Sequence, residues 1–117
     1  MTHRITWFDL NASHSHTSLA LPLLHSACRH VTGWQWQRVN ATINDSPTTI
    51  ATRLATTYPD ILLATAYLFT RNMLEATLHR FHALSPDTRI ILGGPEFLGD
   101  NKRFLTQNRH ITAVCRG

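Results

Sequence analysis

Asn11, Ser13, His14, Ser15, His16 and Thr17 crowd into one short stretch directly after the first apolar run of the chain. Amides, hydroxyls and imidazoles both donate and accept hydrogen bonds, so a loop of this make-up suits a polar ligand. His14 and His16 stand two apart and could ligate a metal, but a metal site needs a third ligand and nothing marks one. A second cluster is Gly93-Gly94-Pro95-Glu96, which follows Ile90-Ile91-Leu92 without a break. A glycine pair lets the backbone turn sharply and approach a ligand with no Cβ in the way; it also serves a bare strand-to-helix turn. Pro95 fixes the exit, and Glu96 sits where polar site residues often sit. Thr65-Ala66-Tyr67 leaves the apolar run Ile61-Leu62-Leu63-Ala64 in the same manner, with Tyr67 either lining a site or packing. No Ser-His-Asp or Cys-His set is evident from spacing. Hydroxyls, amides and glycine outnumber carboxylates here, which fits hydrogen bonding to a polar cofactor better than acid–base catalysis.

These clusters need elements to hold them. Ile5 to Leu10 reads as a first strand, rich in β-branched and aromatic residues. Leu19, Leu23, Ala27 and Val31 follow at helical spacing, with Pro22 near the first turn and Gly33 at the end. Trp34 to Val39 alternates apolar and polar and reads as a half-exposed edge strand in which Arg38 breaks one face; Asn40 to Asp45 reads as a loop. Ser46-Pro47 is a cap followed by a first-position proline. Ile50, Leu54 and Tyr58 then lie on one helical face, and Pro59 stops the helix. Ile61 to Thr65 is a central strand. Leu74, Leu78, Phe81 and Leu84 mark the next helix, ended by the turn Ser85-Pro86-Asp87. Ile90 to Leu92 reads as a strand buried on both faces. A short helix around Phe104 and Leu105 and a last strand over Ile111–Val114 complete the chain.

Strand and helix alternate four times before a final strand. That pattern implies a parallel sheet between two helical layers. Right-handed crossovers, with the alternating Trp34 strand at an edge, give the order 2-1-3-4-5. The expected fold class is therefore α/β: a flavodoxin-like, Rossmann-like three-layer sandwich with a five-stranded parallel sheet. In such a sheet every strand's carboxyl end meets one rim, and ligands bind there. The rim collects Asn11–His16, Asn40–Thr42, Thr65–Tyr67, Gly93–Glu96 and Arg116-Gly117.

The 117 residues make one domain, and 43% apolar content argues against disorder. The formal net charge is +4, carried by ten Arg and one Lys that are scattered rather than clustered, so no nucleic-acid signature stands out. No apolar run is long enough to span a bilayer. Met1-Thr2-His3-Arg4-Ile5 has no secretory pattern, which makes the cytoplasm the expected compartment. Cys28 and Cys115 form no CxxC pair, so neither a structural zinc site nor a disulfide framework is suggested. His25, His30, His79, His82 and His110 fall on helices or a turn and read as surface or half-buried residues. A monomer is expected, since no long exposed apolar stretch is present.

Other occupants of this topology can be weighed. A receiver domain needs an aspartate ending the third strand and a rim lysine; this chain has Ala64-Thr65 and no such lysine. A GxGxxG fingerprint is absent. A flavodoxin needs a hydroxyl-rich phosphate loop after the first strand, and Asn11 to Ser18 could imitate one, which keeps flavin mononucleotide open.

The run from Asn11 to Leu21 resembles the N-A-x-x-S-H-S-S-L-A-L pattern of the cobalamin-binding domains that precede radical SAM domains. Leu92-Gly93-Gly94-Pro95-Glu96 resembles the L-G-G-P-E motif of that family, and Val114-Cys115-Arg116-Gly117 the beginning of its V-x-R-G-E-G-E motif. The three fall in the right order and span nearly the whole chain. The resemblance implies that residues 1–117 are a cobalamin-binding-like domain, an amino-terminal part of a longer enzyme. The missing part would be a barrel holding a [4Fe–4S] cluster and S-adenosylmethionine. It implies that Gly93 and Gly94 admit the nucleotide tail of the cofactor, with Pro95 and Glu96 completing the motif. Thr65, Ala66 and Tyr67 would contact the tail or the corrin, and Asn11, Ser13 and His14 would line the corrin side.

Two departures qualify this. Cobalamin domains of mutases and of methionine synthase carry D-x-H-x-x-G, whose histidine ligates cobalt; here Asp9-Leu10-Asn11 has asparagine at that position. No C-x-x-x-C-x-x-C cluster motif occurs in the chain. The expected function is to bind cobalamin at the rim and present it to a radical SAM domain, without catalysis by this part alone. The alternatives are a docking domain that keeps the fold without corrin, and a flavin module.

Overall fold

The computed structural model describes residues 3–11, 33–42, 44–65, 70–93 and 101–114. Their elements in order are β1 (His3–Asn11), β2 (Trp34–Thr42), α1 (Pro47–Ala55), β3 (Ile61–Thr65), α2 (Arg71–Leu84), β4 (Arg89–Gly93), α3 (Lys102–Gln107) and β5 (Ala113–Val114). All pairings are parallel and the strand order is β2-β1-β3-β4-β5, as expected. The helix expected from Leu19 to Val31 lies outside the described residues.

Side chains alternate across the sheet, and the register puts like with like. Phe8 lies beside Val39 and Ala64, Leu10 beside Ala41, Leu62 beside Ile90, and Ala64 beside Leu92. Ile50, Ala51 and Leu54 of α1 and Leu74, Leu78 and Phe81 of α2 close over this face, with Phe104 and Leu105 of α3 packed against it. One apolar core therefore joins the three described helices to one side of the sheet. Thr6 of β1, on that side, is fully buried; its hydroxyl donates to Thr57 Oγ1 at 2.7 Å, and Thr57 in turn donates to the Leu54 carbonyl at 2.7 Å.

Several boundaries differ from the sequence reading, each for a local reason. Asn40, Ala41 and Thr42 continue β2 instead of starting a loop. They pair with Asp9, Leu10 and Asn11, and the turn closes only where Asp45 accepts the Thr42 N–H at 2.8 Å. Helix α1 ends at Ala55, before Pro59 is reached. The hydroxyls of Thr56 and Thr57 take the Arg53 and Leu54 carbonyls, and Tyr58 then adopts φ 49°. Tyr58 therefore leaves the Ile50–Leu54 face and is 74% exposed. Leu84 is 56% exposed as well. It is the last residue of α2 and, at about 100° per residue, lies about 80° round the helix from Leu74. Ile91 is half-buried, so β4 is covered fully on one face only. Among the described residues the β5 ladder runs over Ala113–Val114; on its amino side Ile111 N–H turns back to the Asn108 carbonyl at 3.0 Å.

The amino-end pole of the sheet is stitched through Asp60. Its N–H donates to the Arg4 carbonyl at 2.9 Å, its side chain accepts the Arg4 N–H at 2.8 Å, and its carbonyl accepts the Arg89 N–H at 3.0 Å. Buried Thr88 adds a 2.7 Å bond to the Pro59 carbonyl. Strands β1, β3 and β4 are thus fixed at one end, and their other ends form the rim.

Candidate functional site

The face of the sheet opposite the shared core carries the candidate site. Register runs one row across it: Arg38, Trp7, Leu63, Ile91 and Ala113, each beside the next. Trp7 is buried and its ring lies 5.6 Å from that of Trp36. Leu63, Ile91 and Ala113 are only half-buried. Their counterparts facing the helices, Leu62, Ile90 and Leu92, are 0%, 0% and 1% exposed. Central strands of a parallel sheet ordinarily bury both faces. Here the apolar row on β3 to β5 retains accessible surface on one side.

One row closer to the rim, Thr65 and Gly93 are register partners. Thr65 is buried and brings a hydroxyl, while Gly93 brings no side chain at all. Apolar floor, hydroxyl and glycine thus occupy two adjacent rows at the carboxyl ends of β3 and β4. Asn11 closes β1 beside Thr42.

On β1 and β2 the same face becomes ionic. Asp9 is 2% exposed, and Arg38 donates from Nη2 to Asp9 Oδ2 at 2.9 Å. The Nε of Arg38 donates to Asn40 Oδ1 at 2.9 Å, and Arg53 on α1 donates to the Asn40 carbonyl at 3.0 Å. A buried carboxylate is tolerable only when paired, so Arg38 answers a need created by Asp9. This corner was not anticipated. Arg38 interrupts an alternating edge strand and Asp9 ends an apolar one, yet only the parallel register reveals that these two anomalies cancel.

Of the residues expected at the site, Thr65 and Gly93 are brought together, and Asn11 ends a strand on the same rim. Ser13, His14, Ala66, Tyr67, Gly94, Pro95 and Glu96 lie outside the described residues, as does His16. Among the described residues no group of three or more His, Cys, Asp or Glu is arranged to hold a metal ion. No described helix is long and apolar enough to cross a membrane. The described rim offers hydrogen bonding, an apolar floor and one fixed ion pair, a set suited to holding a ligand.

No protein-family model matches the chain, and no curated protein matches it in sequence. Solved structures do match it in fold. A cobalamin-binding protein from Desulfitobacterium hafniense DCB-2 superposes with a TM-score of 0.68 at 12% identity, over 97% of this chain and 52% of that one. The periplasmic domain of a lipopolysaccharide acetyltransferase from Salmonella ser. Paratyphi A gives a TM-score of 0.53 at 15% identity, over 93% of this chain and 53% of that one. The chain thus spans about half the length of each. At these identities the likeness is one of fold, and the two neighbours bear unlike functions on it.

Proposed function

We propose that this chain binds cobalamin at the carboxyl-end rim of its sheet. The nucleotide tail of the cofactor would lie along the face that carries Thr65 and Gly93. The observation that carries the reading is the half-buried apolar row Leu63–Ile91–Ala113 directly below that register pair. Half-buried apolar side chains on central parallel strands offer a lining for a flat aromatic base. Gly93 leaves clearance above it, and the Thr65 hydroxyl offers a hydrogen bond to a polar linker. The resemblance of Asn11–Leu21 and Leu92–Glu96 to cobalamin-domain motifs supports the same assignment, as does the fold shared with a cobalamin-binding protein.

When bound, cobalamin would supply cobalt-centred redox or methyl-transfer chemistry, and the protein its position. Thr65 and Gly93 would seat the tail. Asn11, Ser13 and His14 would line the corrin side; Ala66, Tyr67, Gly94, Pro95 and Glu96 would complete the rim. In the fuller form of this reading the domain presents the corrin to a radical SAM domain of a longer chain, which would hold the [4Fe–4S] cluster and S-adenosylmethionine.

An absorbance titration of the purified protein with hydroxocobalamin tests the binding claim. A saturable shift of the corrin bands is expected, weakened in Gly94→Val. Absence of any shift up to about 1 mM corrin would overturn it, because binding weaker than that supplies less than about 4 kcal/mol.

A further inference from the structure

Three histidines meet where α2 supports the last strand. His79 and His82 stand one turn apart on α2, and His110 lies in the turn that leads into β5. The rings of His79 and His110 have centroids 4.2 Å apart at 40°, and those of His82 and His110 lie 5.8 Å apart at 42°. The Nδ1 of His82 is buried and makes no hydrogen bond. His110 is half-buried against both rings, so a proton taken up there places its charge in a partly desolvated spot.

The surroundings offer that charge little relief. On α2, Glu75 is the one carboxylate acting on His110, and it is already paired with Arg71 at 3.1 Å. Arg80, beside His79, donates to the Ala76 carbonyl at 3.3 Å. Arg109 in the turn and Lys102 and Arg103 on α3 are exposed cations. Burial depresses the His110 pKa first, His79 and His82 depress it further, and Glu75 opposes them.

Among the described residues, the segment after His110 is held at few other points. Ile111 enters the core, and Thr112 exchanges two bonds with Ile90: N–H to carbonyl at 2.8 Å, and Ile90 N–H to Thr112 Oγ1 at 3.1 Å. Beyond them the ladder runs over two residues, beside Ile91 and Leu92.

We propose that His110, packed against the rings of His79 and His82, is a pH-operated clasp on β5. As a neutral ring it holds the turn before β5 onto α2. Protonated, it lets residues 110–114 leave the sheet edge next to Gly93. This holds whatever ligand the rim takes.

Amide hydrogen exchange followed by NMR tests it, with protection factors compared at about pH 7.5 and about pH 5.5. Protection at Thr112, Ala113 and Val114 should fall by up to about tenfold per pH unit from about pH 6.5 down toward the depressed folded value of His110. Leu62 and Ala64 in β3 should hold theirs. His110→Phe keeps a ring without a proton and should abolish the response. His79→Gln, a change at an exposed position, should weaken it and tests the idea even if His110→Phe folds poorly. A loss of protection shared by all strands would overturn the clasp. So would the absence of any loss, or a β5-specific loss that persists in both variants.

Discussion

Thr65 and Gly93 lie side by side as register partners at the carboxyl ends of β3 and β4. The pairing joins a buried hydroxyl to a position with no side chain, directly above a half-buried apolar row. It places two residues that are far apart in sequence at one spot on the rim.

Filling that spot should block the ligand. Gly93→Val adds a β-branched side chain that a strand accepts readily, so the fold should survive. Cobalamin affinity should drop tenfold or more, a loss of about 1.4 kcal/mol or greater. Absorbance titration beside a circular-dichroism melt separates the two effects. Unchanged affinity in a folded variant would remove Gly93 from the site.

The Asp9–Arg38 pair predicts a non-additive result. Arg38→Met leaves the Asp9 carboxylate buried without its partner. Breaking a buried pair costs about 3–5 kcal/mol, and the 36% exposure of Arg38 discounts this to roughly 2–3 kcal/mol. Asp9→Leu with Arg38→Met together should recover much of that loss, since an apolar pair needs no neutralisation. Urea denaturation of the two singles and the double completes the cycle; strict additivity would show that the pair is not coupled.

Global stability should fall on mild acidification. The folded pKa of His110 lies below the ordinary histidine value of 6.5, so between the two the unfolded chain holds the proton and the folded chain does not. The contribution of this residue to stability is whole above about pH 6.5 and declines as pH falls toward the depressed folded value. Urea midpoints measured across this range should decline less steeply in His110→Phe than in the parent chain.

Two leucines at helical spacing should behave oppositely. Leu54 is fully buried and Leu84 is 56% exposed. Leu54→Ala should cost about 2–5 kcal/mol, by lost transfer energy and a residual cavity. Leu84→Ala should stay within about 0.5 kcal/mol of the parent. Equal losses would mean that α2 is rotated from the packing described.

The alternation of strands and helices, the sheet order and the core were legible because each rests on a local pattern: the strands of Phe8, Leu62 and Ile90 on short apolar runs, Ile50–Leu54 and Leu74–Leu78–Phe81 on the helical repeat. Periodicity could not tell where hydroxyl chemistry ends a helix, as at Thr56 and Thr57, or where a left-handed residue such as Tyr58 breaks a stripe. Of the site, Thr65 and Gly93 stood out as the polar and glycine ends of apolar runs. The Asp9–Arg38 pair and the His79–His82–His110 group stayed hidden. Both depend on contacts between residues 28 or more positions apart in sequence, which only sheet register and helix docking create.

The outer side of β2 carries a last consequence. Nine residues long and terminal in the strand order, β2 pairs along its full length with β1 on one side and with no described strand on the other. A long open edge is a template on which another chain can add a strand. Charge on an edge strand opposes such pairing, and Arg38 is the one charged residue of β2. The guanidinium that pairs with Asp9 would thus also be the one charge of β2 set against strand addition at that border.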